Sequence, residues 1–537
     1  MSNAPSVLSG QLFYFFVLTL LVTVIGSALM VWHYGRRVLA GMQERTSAPL
    51  PVPVPAWAPR EAAGAVATPQ PWLDFEARFE RRLLRAWALS ALLAALPVAA
   101  VYLRASDNLH RSSQWMLVAS VLALLAVPVT AVSRGWQWPR GLRVLAAAML
   151  CGALATLGLS LIDRLASGRL PSWDQAMNLW FWLQFATVSL ALPLALLVLS
   201  SPRRVRLAVP LVFGALTLFA LAPFFGNLGF QWVAQQPGAN GWLLAWGGTN
   251  FRHVVFAVLA LPAGGLAARR LRALSAAYAA KRVSDAQLSA RAWWLMGVGS
   301  LVIGLTSDRS VTLWAAALCG LAGLALGPVQ RAVFAQLQPA RDAPPARTLL
   351  FLRAFGYQAR TERLFDRLGA RWRALGPITM IAAPDVVARS IDPGDLLAWL
   401  QGREGEAFVR TAAELQQRLA AIDTERDPDG RFRITEFCCV DSTWQATVVS
   451  LMARADAVLM DLRGVAGDKL GCAFELQQLA LHLPGRRVVL VVDGTTRIDP
   501  LRQALGTAAD AVVWQRMDSE GPAAQAALFA ALVTAAA

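Results

Sequence analysis

Residues 455–483 read ADAVLMDLRGVAGDKLGCAFELQQLALHL. Ala457 to Met460 form a short run with no polar residue in it, ending at Asp461. A loop carrying Arg463, Gly464, Gly467, Asp468 and Gly471 follows, and then a helical pattern with Glu475 in its first turns. An uninterrupted apolar run, in place of alternating polar and apolar residues, marks a strand covered on both faces, as in parallel sheets. Open α/β sheets bind ligands beyond the carboxyl ends of their strands. This strand, loop and helix therefore set both the fold class and the place to look for chemistry.

The same grammar extends in both directions. Strands are expected at 348–355, 377–384, 432–440, 457–460, 488–493 and 511–515. Helices are expected at 361–375, 406–422, 442–455, 472–483, 498–506 and 522–535. Strands alternating with helices imply a mostly parallel sheet with helices on both faces, over a domain at 346–537. The stretch 385–431 is long for a connection and reads as an insertion or lid.

Several common sites are disfavoured. No GxGxxG opens a helix after the first strand, and GxxxxGK[ST] and GxSxG do not occur, which disfavours the usual dinucleotide loop, the P-loop and the nucleophile elbow. His482 is the one histidine in this region and lies late in a helix, a poor start for a Ser-His-Asp or Cys-His site. The five cysteines show neither CxxC nor Cys/His metal spacing, so no metal and no cofactor is expected.

Carboxylates remain. Asp461 ends a strand, Asp468 precedes Gly471, and Glu475 lies four residues beyond that glycine. Gly471 permits close backbone approach, and the helix amino end offers N–H groups and partial positive charge to a phosphate or a ribose hydroxyl. A carboxylate there can attack or stabilise the oxocarbenium-like carbon formed when an N-glycosidic bond breaks. The plainer alternative is that Asp461 and Glu475 are solvated loop and helix-start residues.

The segment ADAVLMDLRG…DKLGCAFELQQLALHL resembles the core of the nucleoside 2-deoxyribosyltransferase-like group and, more distantly, the TIR domain. That resemblance implies a flavodoxin/TIR-like sheet, a catalytic glutamate at Glu475, the preceding glycine at Gly471 and an acid at Asp461. It also places Arg353, Phe355 and Gly356, within TLLFLRAFGYQARTERLF, near the pocket, with Arg353 or Arg463 holding phosphate, and it names NAD or a nucleoside as the ligand. The long 385–431 segment and Arg463 in the central loop depart from the family pattern.

The rest of the chain reads differently. Of 537 residues, 56% are apolar and 20 are tryptophan, and long apolar stretches fill the first two-thirds. Residues 11–33 can cross a bilayer and lack a preceding basic region, so an uncleaved anchor over 1–35 is expected, with its N-terminus outside. Residues 47–71 read as a Pro/Ala-rich extended linker. WLDFEARFERRLLRA (72–86) reads as an amphipathic helix at the lipid interface or a cytosolic helical extension; these two make up 36–85.

Spans are expected near 86–103, 114–133, 144–162, 177–200, 207–225, 251–268, 292–306 and 311–330, giving a polytopic α-helical membrane domain over 86–335. Loops rich in arginine (134–143, 203–206, 269–282) alternate with poorer ones. The positive-inside rule then puts the C-terminal domain in the cytosol of a bacterial-type inner membrane. The net charge of +16 is accounted for by these flanking arginines, and nucleic acid is not an expected partner; the lipid bilayer is. Ionisable residues deep within spans are nearly absent, so no transport pathway is evident.

Overall fold

The computed structural model describes residues 4–43, 49–52, 68–105, 271–307, 313–353, 358–382, 393–465, 470–482 and 487–537, with isolated positions at 118–130 and 265–269. The expected spans at 144–162, 177–200, 207–225 and 251–268, most of 114–133 and of the Pro/Ala-rich linker, and Phe355, Gly356 and Asp468 lie outside the described residues. The chain divides into two compact units. One holds Met1–Trp32, Leu84–Gln336 and Ile391–Leu397; the other holds His33–Leu83, Leu337–Ser390 and Ala398–Ala537.

The first unit is helical where described. It takes in most of α1 (Ala4–Met42), the second half of α2 (Gln70–Ala105), α3 (Asp285–Ser307), α4 (Leu313–Gly323) and α5 (Leu326–Leu337). Among the described residues, two helical segments, 70–105 and 317–337, are long and apolar enough to cross a membrane.

The second unit is an α/β fold. Its elements are β1 (Leu349–Arg353), α6 (Gln358–Trp372), β2 (Ile378–Ala382), β3 (Phe408–Val409), α8 (Ala412–Ala420), β4 (Ile434–Cys439), α9 (Trp444–Met452), β5 (Ala457–Asp461), α10 (Leu470–His482), β6 (Val488–Val492), α11 (Ile498–Leu505), β7 (Val513–Arg516) and α12 (Pro522–Ala536); the short α7 (Pro393–Trp399) precedes β3. The seven strands run parallel in the order β3-β4-β2-β1-β5-β6-β7.

The strands follow from their sequences. LLFLR, AVLMD and VVLVV are buried along their whole length, and the two-residue period sends alternate side chains to opposite faces. Leu350, Leu352, Val458, Met460 and Leu490 join Val449 of α9, Leu476 of α10 and Leu501 of α11 in one apolar core. Phe351 points the other way and meets Phe365 of α6, ring centroids 4.8 Å apart. Cys438, Cys439 and Cys472 are buried free thiols.

Two expectations are corrected. The helix expected at 406–422 contains a strand. A 3₁₀ turn (Glu404–Ala407) leads into Phe408–Val409, which pairs with Cys438–Cys439, and the helix starts only at Ala412. Its start is set by a capping box: Thr411 accepts from the Glu414 backbone, and the Glu414 side chain accepts from the Thr411 backbone. The sheet order also differs from flavodoxin-like sheets, which run 2-1-3-4-5. Leaving out the two-residue edge strand, the six longer strands run 3-2-1-4-5-6, the order of dinucleotide-binding sheets.

Residues 70–83 fall in the stretch expected to lie at the lipid interface or to form a helical extension, and they are helical. Trp72, Phe75, Glu76, Phe79 and Leu83 share one face of α2 and are buried. That face lies on the α/β fold, where Arg371 of α6 grips Glu76 with two hydrogen bonds of 2.8 and 2.9 Å. The Trp72 indole donates to the Pro345 carbonyl, and Arg426 stacks over Phe75. An acid inside the apolar stripe is costly against lipid and well served by a forked guanidinium. This stretch is a helical extension packed on protein.

Candidate functional site

The chain passes from β1 outward on one side through β2 and β4, then returns to lay β5 on the other side of β1. The helix after β1, α6, packs on the Phe351 face, whereas α10, after β5, packs in the core on the opposite face. Adjacent connections leaving in opposite directions open a crevice at the carboxyl ends of these strands, where open α/β sheets bind ligands. Arg353, the last residue of β1, is the register partner of Asp461, the last residue of β5.

Asp461 is fully engaged. Its Oδ1 accepts from Arg463 Nε at 2.9 Å and from the Arg463 backbone at 3.3 Å. Its Oδ2 accepts from Arg463 Nη2 at 2.9 Å and from the Thr361 hydroxyl at 2.8 Å. Both side chains of the ion pair are 1% exposed. Arg463 also donates to the Arg360 carbonyl and to Glu520, which lies before α12. Burial opposes its charge, and Asp461 with Glu520 outweighs that, holding the guanidinium above its usual range. Arg463, expected to hold phosphate, is already committed to carboxylates.

The neighbouring strand end repeats the pattern. Asp493, one residue beyond β6, accepts from Thr495, Thr496 and the Gly464 backbone and pairs with Arg360 at 2.9 Å. Burial pushes this carboxyl up, but the hydrogen bonds from Thr495, Thr496 and the two backbone amides prevail and bring it down to about 2. Gly464 turns the chain at φ +78 while its N–H reaches Asp493. A side chain is disfavoured there, so Gly464→Ala should cost about 1–2 kcal/mol. A fall in the urea midpoint of the full-length protein checks this.

Glu475 has the opposite surroundings. It lies in the second turn of α10, 5% exposed, and its Oε2 has no hydrogen-bond partner. Burial pushes the carboxyl up to about 8, against a smaller downward pull from the Arg353 charge. At neutral pH it is therefore largely a neutral acid. Arg353 is itself buried. Gly471 is the second residue of α10.

The crevice thus joins a committed ion-pair network to a carboxyl with unused hydrogen-bonding capacity. The sequence matches no family model and no curated protein. The arrangement itself carries what can be said of the chemistry. It brings Asp461, Arg463 and Gly464 into one network and sets Glu475 within reach of the Arg353 charge. Sequence reasoning missed Thr361, Asp493, Thr496 and Glu520. Asp493 carried a legible signal, being an acid directly after an apolar strand, as Asp461 ends its own; the others come together only through the fold.

Proposed function

We propose that this is a multi-pass membrane protein whose cytosolic α/β unit binds a nucleotide or nucleoside at the β1–β5 crevice, with Glu475 meeting its N-glycosidic bond. The observation that carries the reading is the buried Glu475 oxygen without a partner, beside Arg353 at the topological switch point. Breaking an N-glycosidic bond builds positive charge on the sugar carbon. As the C–N bond breaks, the neutral Glu475 carboxyl gives its proton to the departing base, and the carboxylate left behind faces the charge on the sugar carbon until water adds there, so its stabilisation is larger in the transition state than in the ground state. Arg353 supplies the positive charge suited to a phosphate. Asp461, bound by Arg463 and Thr361, holds the loop in place, and among the described residues Glu475 is the uncommitted acid of the crevice.

Membrane residence is supported by apolar stripes open to the surroundings. Leu89, Leu92, Leu93 and Leu96, at helical spacing on α2, are exposed, as are Leu21, Ile25, Leu29 and Trp32 on α1. A helix facing water places polar residues there. The alternation of arginine-rich loops favours a cytosolic C-terminal unit.

The committed Asp461–Arg463 pair favours a second reading, a sensor that binds nucleotide without turnover, because it withdraws Asp461 from the chemistry. Full-length protein in neutral detergent, incubated with NAD and with nucleosides, separates the two. Release of free base that disappears in Glu475→Gln while binding persists supports the enzyme. Binding without release supports the sensor, and no binding of either ligand class overturns both.

A further inference from the structure

Inside the helical unit, three helices bring unused donors together. On α5, Gly327, Gln330 and Phe334 lie at i, i+3 and i+7 and so share a face. At one end of that face, the Cβ position of Gly327 is 3.8 Å from Arg291 Nη2 of α3. At the other end, Phe334 meets Trp87 of α2, ring centroids 5.4 Å apart. Gln330 lies between them and is wholly buried, and neither atom of its amide has a partner. The indole N–H of the wholly buried Trp87 and Nε of Arg291 are likewise buried without partners.

Charge sharpens the pattern. The Arg331 charge acts on Arg291, and among the described residues no acid is paired with either arginine. The Arg291 guanidinium, an indole N–H and an amide form a donor-rich group with a single acceptor, Gln330 Oε1, while Arg331 is exposed. Burying such groups unpaired is costly. A part-buried guanidinium that has no acid among the described residues is best offset by an anion.

We infer that Arg291, Gln330 and Trp87 form a binding site for an oxyanion, a phosphate group with several acceptor oxygens. Its source is an anionic phospholipid headgroup or free inorganic phosphate. Position favours the headgroup. Trp87 follows the charged half of α2 by two residues, Arg291 lies six residues into α3, and Gln330 lies seven before the end of α5. At 1.5 Å per residue each is within about 10 Å of a polar helix end. Basic pockets between spans near their cytoplasmic ends hold lipid headgroups. The lipid source rests on the membrane reading above; the oxyanion site does not.

The test uses full-length protein in neutral detergent, with thermal unfolding read against added phosphatidylglycerol, diacylglycerol or inorganic phosphate, at matched ionic strength. A ligand of the folded state raises the midpoint. The expected result is a rise of several degrees with phosphatidylglycerol and none with diacylglycerol. Arg291→Gln and Gln330→Leu should each weaken binding roughly tenfold, the scale of one charge-assisted hydrogen bond. Should Arg291→Gln fold poorly, Trp87→Phe removes the indole N–H while keeping an aromatic ring and should still reduce the rise. A rise with phosphate alone that the variants also lose keeps the site and overturns its lipid source. No rise with either phosphate source, or a rise equal in wild type and variants, overturns the site. So does a Gln330→Leu protein that is merely more stable and keeps its full response, since that marks an unsatisfied amide and nothing more.

Discussion

Replacing Glu475 by glutamine should flatten the pH dependence of folding stability between about pH 5 and 8 and make the protein more stable than wild type above pH 8. The carboxyl is raised from 4.5 to about 8 by burial, so the folded state prefers it protonated. Its favourable contribution is complete below the unfolded value of 4.5 and is lost as pH rises through 8. Above that, the fold bears the full cost of a buried charge, roughly 3–5 kcal/mol. Glutamine keeps the shape and cannot ionise.

Asp493 works in the other direction. Its carboxyl is brought down from 3.8 to about 2, so its contribution is present above 3.8 and disappears as pH falls through 2. Wild type should then be most stable near pH 5, at about the pH where one contribution is complete and the other not yet lost. Urea midpoints across this range, read by pulse proteolysis of the full-length chain, measure the curve. A wild-type curve that stays level from pH 5 to 9 would contradict the burial of Glu475, and with it the reading of the crevice.

Much of this was legible in the sequence. The apolar runs LLFL, AVLM and VVLVV announced a parallel sheet because burial on both faces leaves little room for polar residues along the strand. The two-residue strand Phe408–Val409 had no periodicity to read, although the T-x-x-E at Thr411–Glu414 marked the true helix start. Strand order is another matter, because the same six runs suit either 2-1-3-4-5 or 3-2-1-4-5-6 winding. For residues 70–83, a helical stripe shows that one side is apolar but not what covers it. Glu76 within that stripe was the hint that protein covers it.

The site divides in the same way. Asp461 and Glu475 stood out by position, at a strand end and a helix start. Their contrasting states did not, because Thr361 reaches Asp461 across 100 residues and Arg463 meets Glu520 across 57. Such partners belong to topology. Arg463, two residues from Asp461, looked like a free loop cation. Its commitment depends on Glu520 and the Arg360 carbonyl, which only the fold brings to it.

That commitment yields the other large expected effect. Arg463→Met should destabilise the α/β unit by about 3–5 kcal/mol, because it leaves Asp461 buried with the Thr361 hydroxyl as its remaining side-chain partner. Asp461→Asn should cost less, since Arg463 keeps Glu520 and the Arg360 carbonyl. Removing both charges in Asp461→Leu/Arg463→Met should recover at least half of the Arg463→Met loss, as buried pairs replaced by apolar groups of similar volume often do. The double-mutant cycle, closed with the single Asp461→Leu variant, isolates the pair, and hydrogen exchange at the β5 amides reads it in the full-length chain. If Arg463→Met costs no more than a surface substitution, the pair is not sealed from water, and Arg463 returns to consideration as a phosphate ligand. If the double variant is as unstable as the single, the loss lies in packing around the guanidinium and not in the uncompensated charge of Asp461.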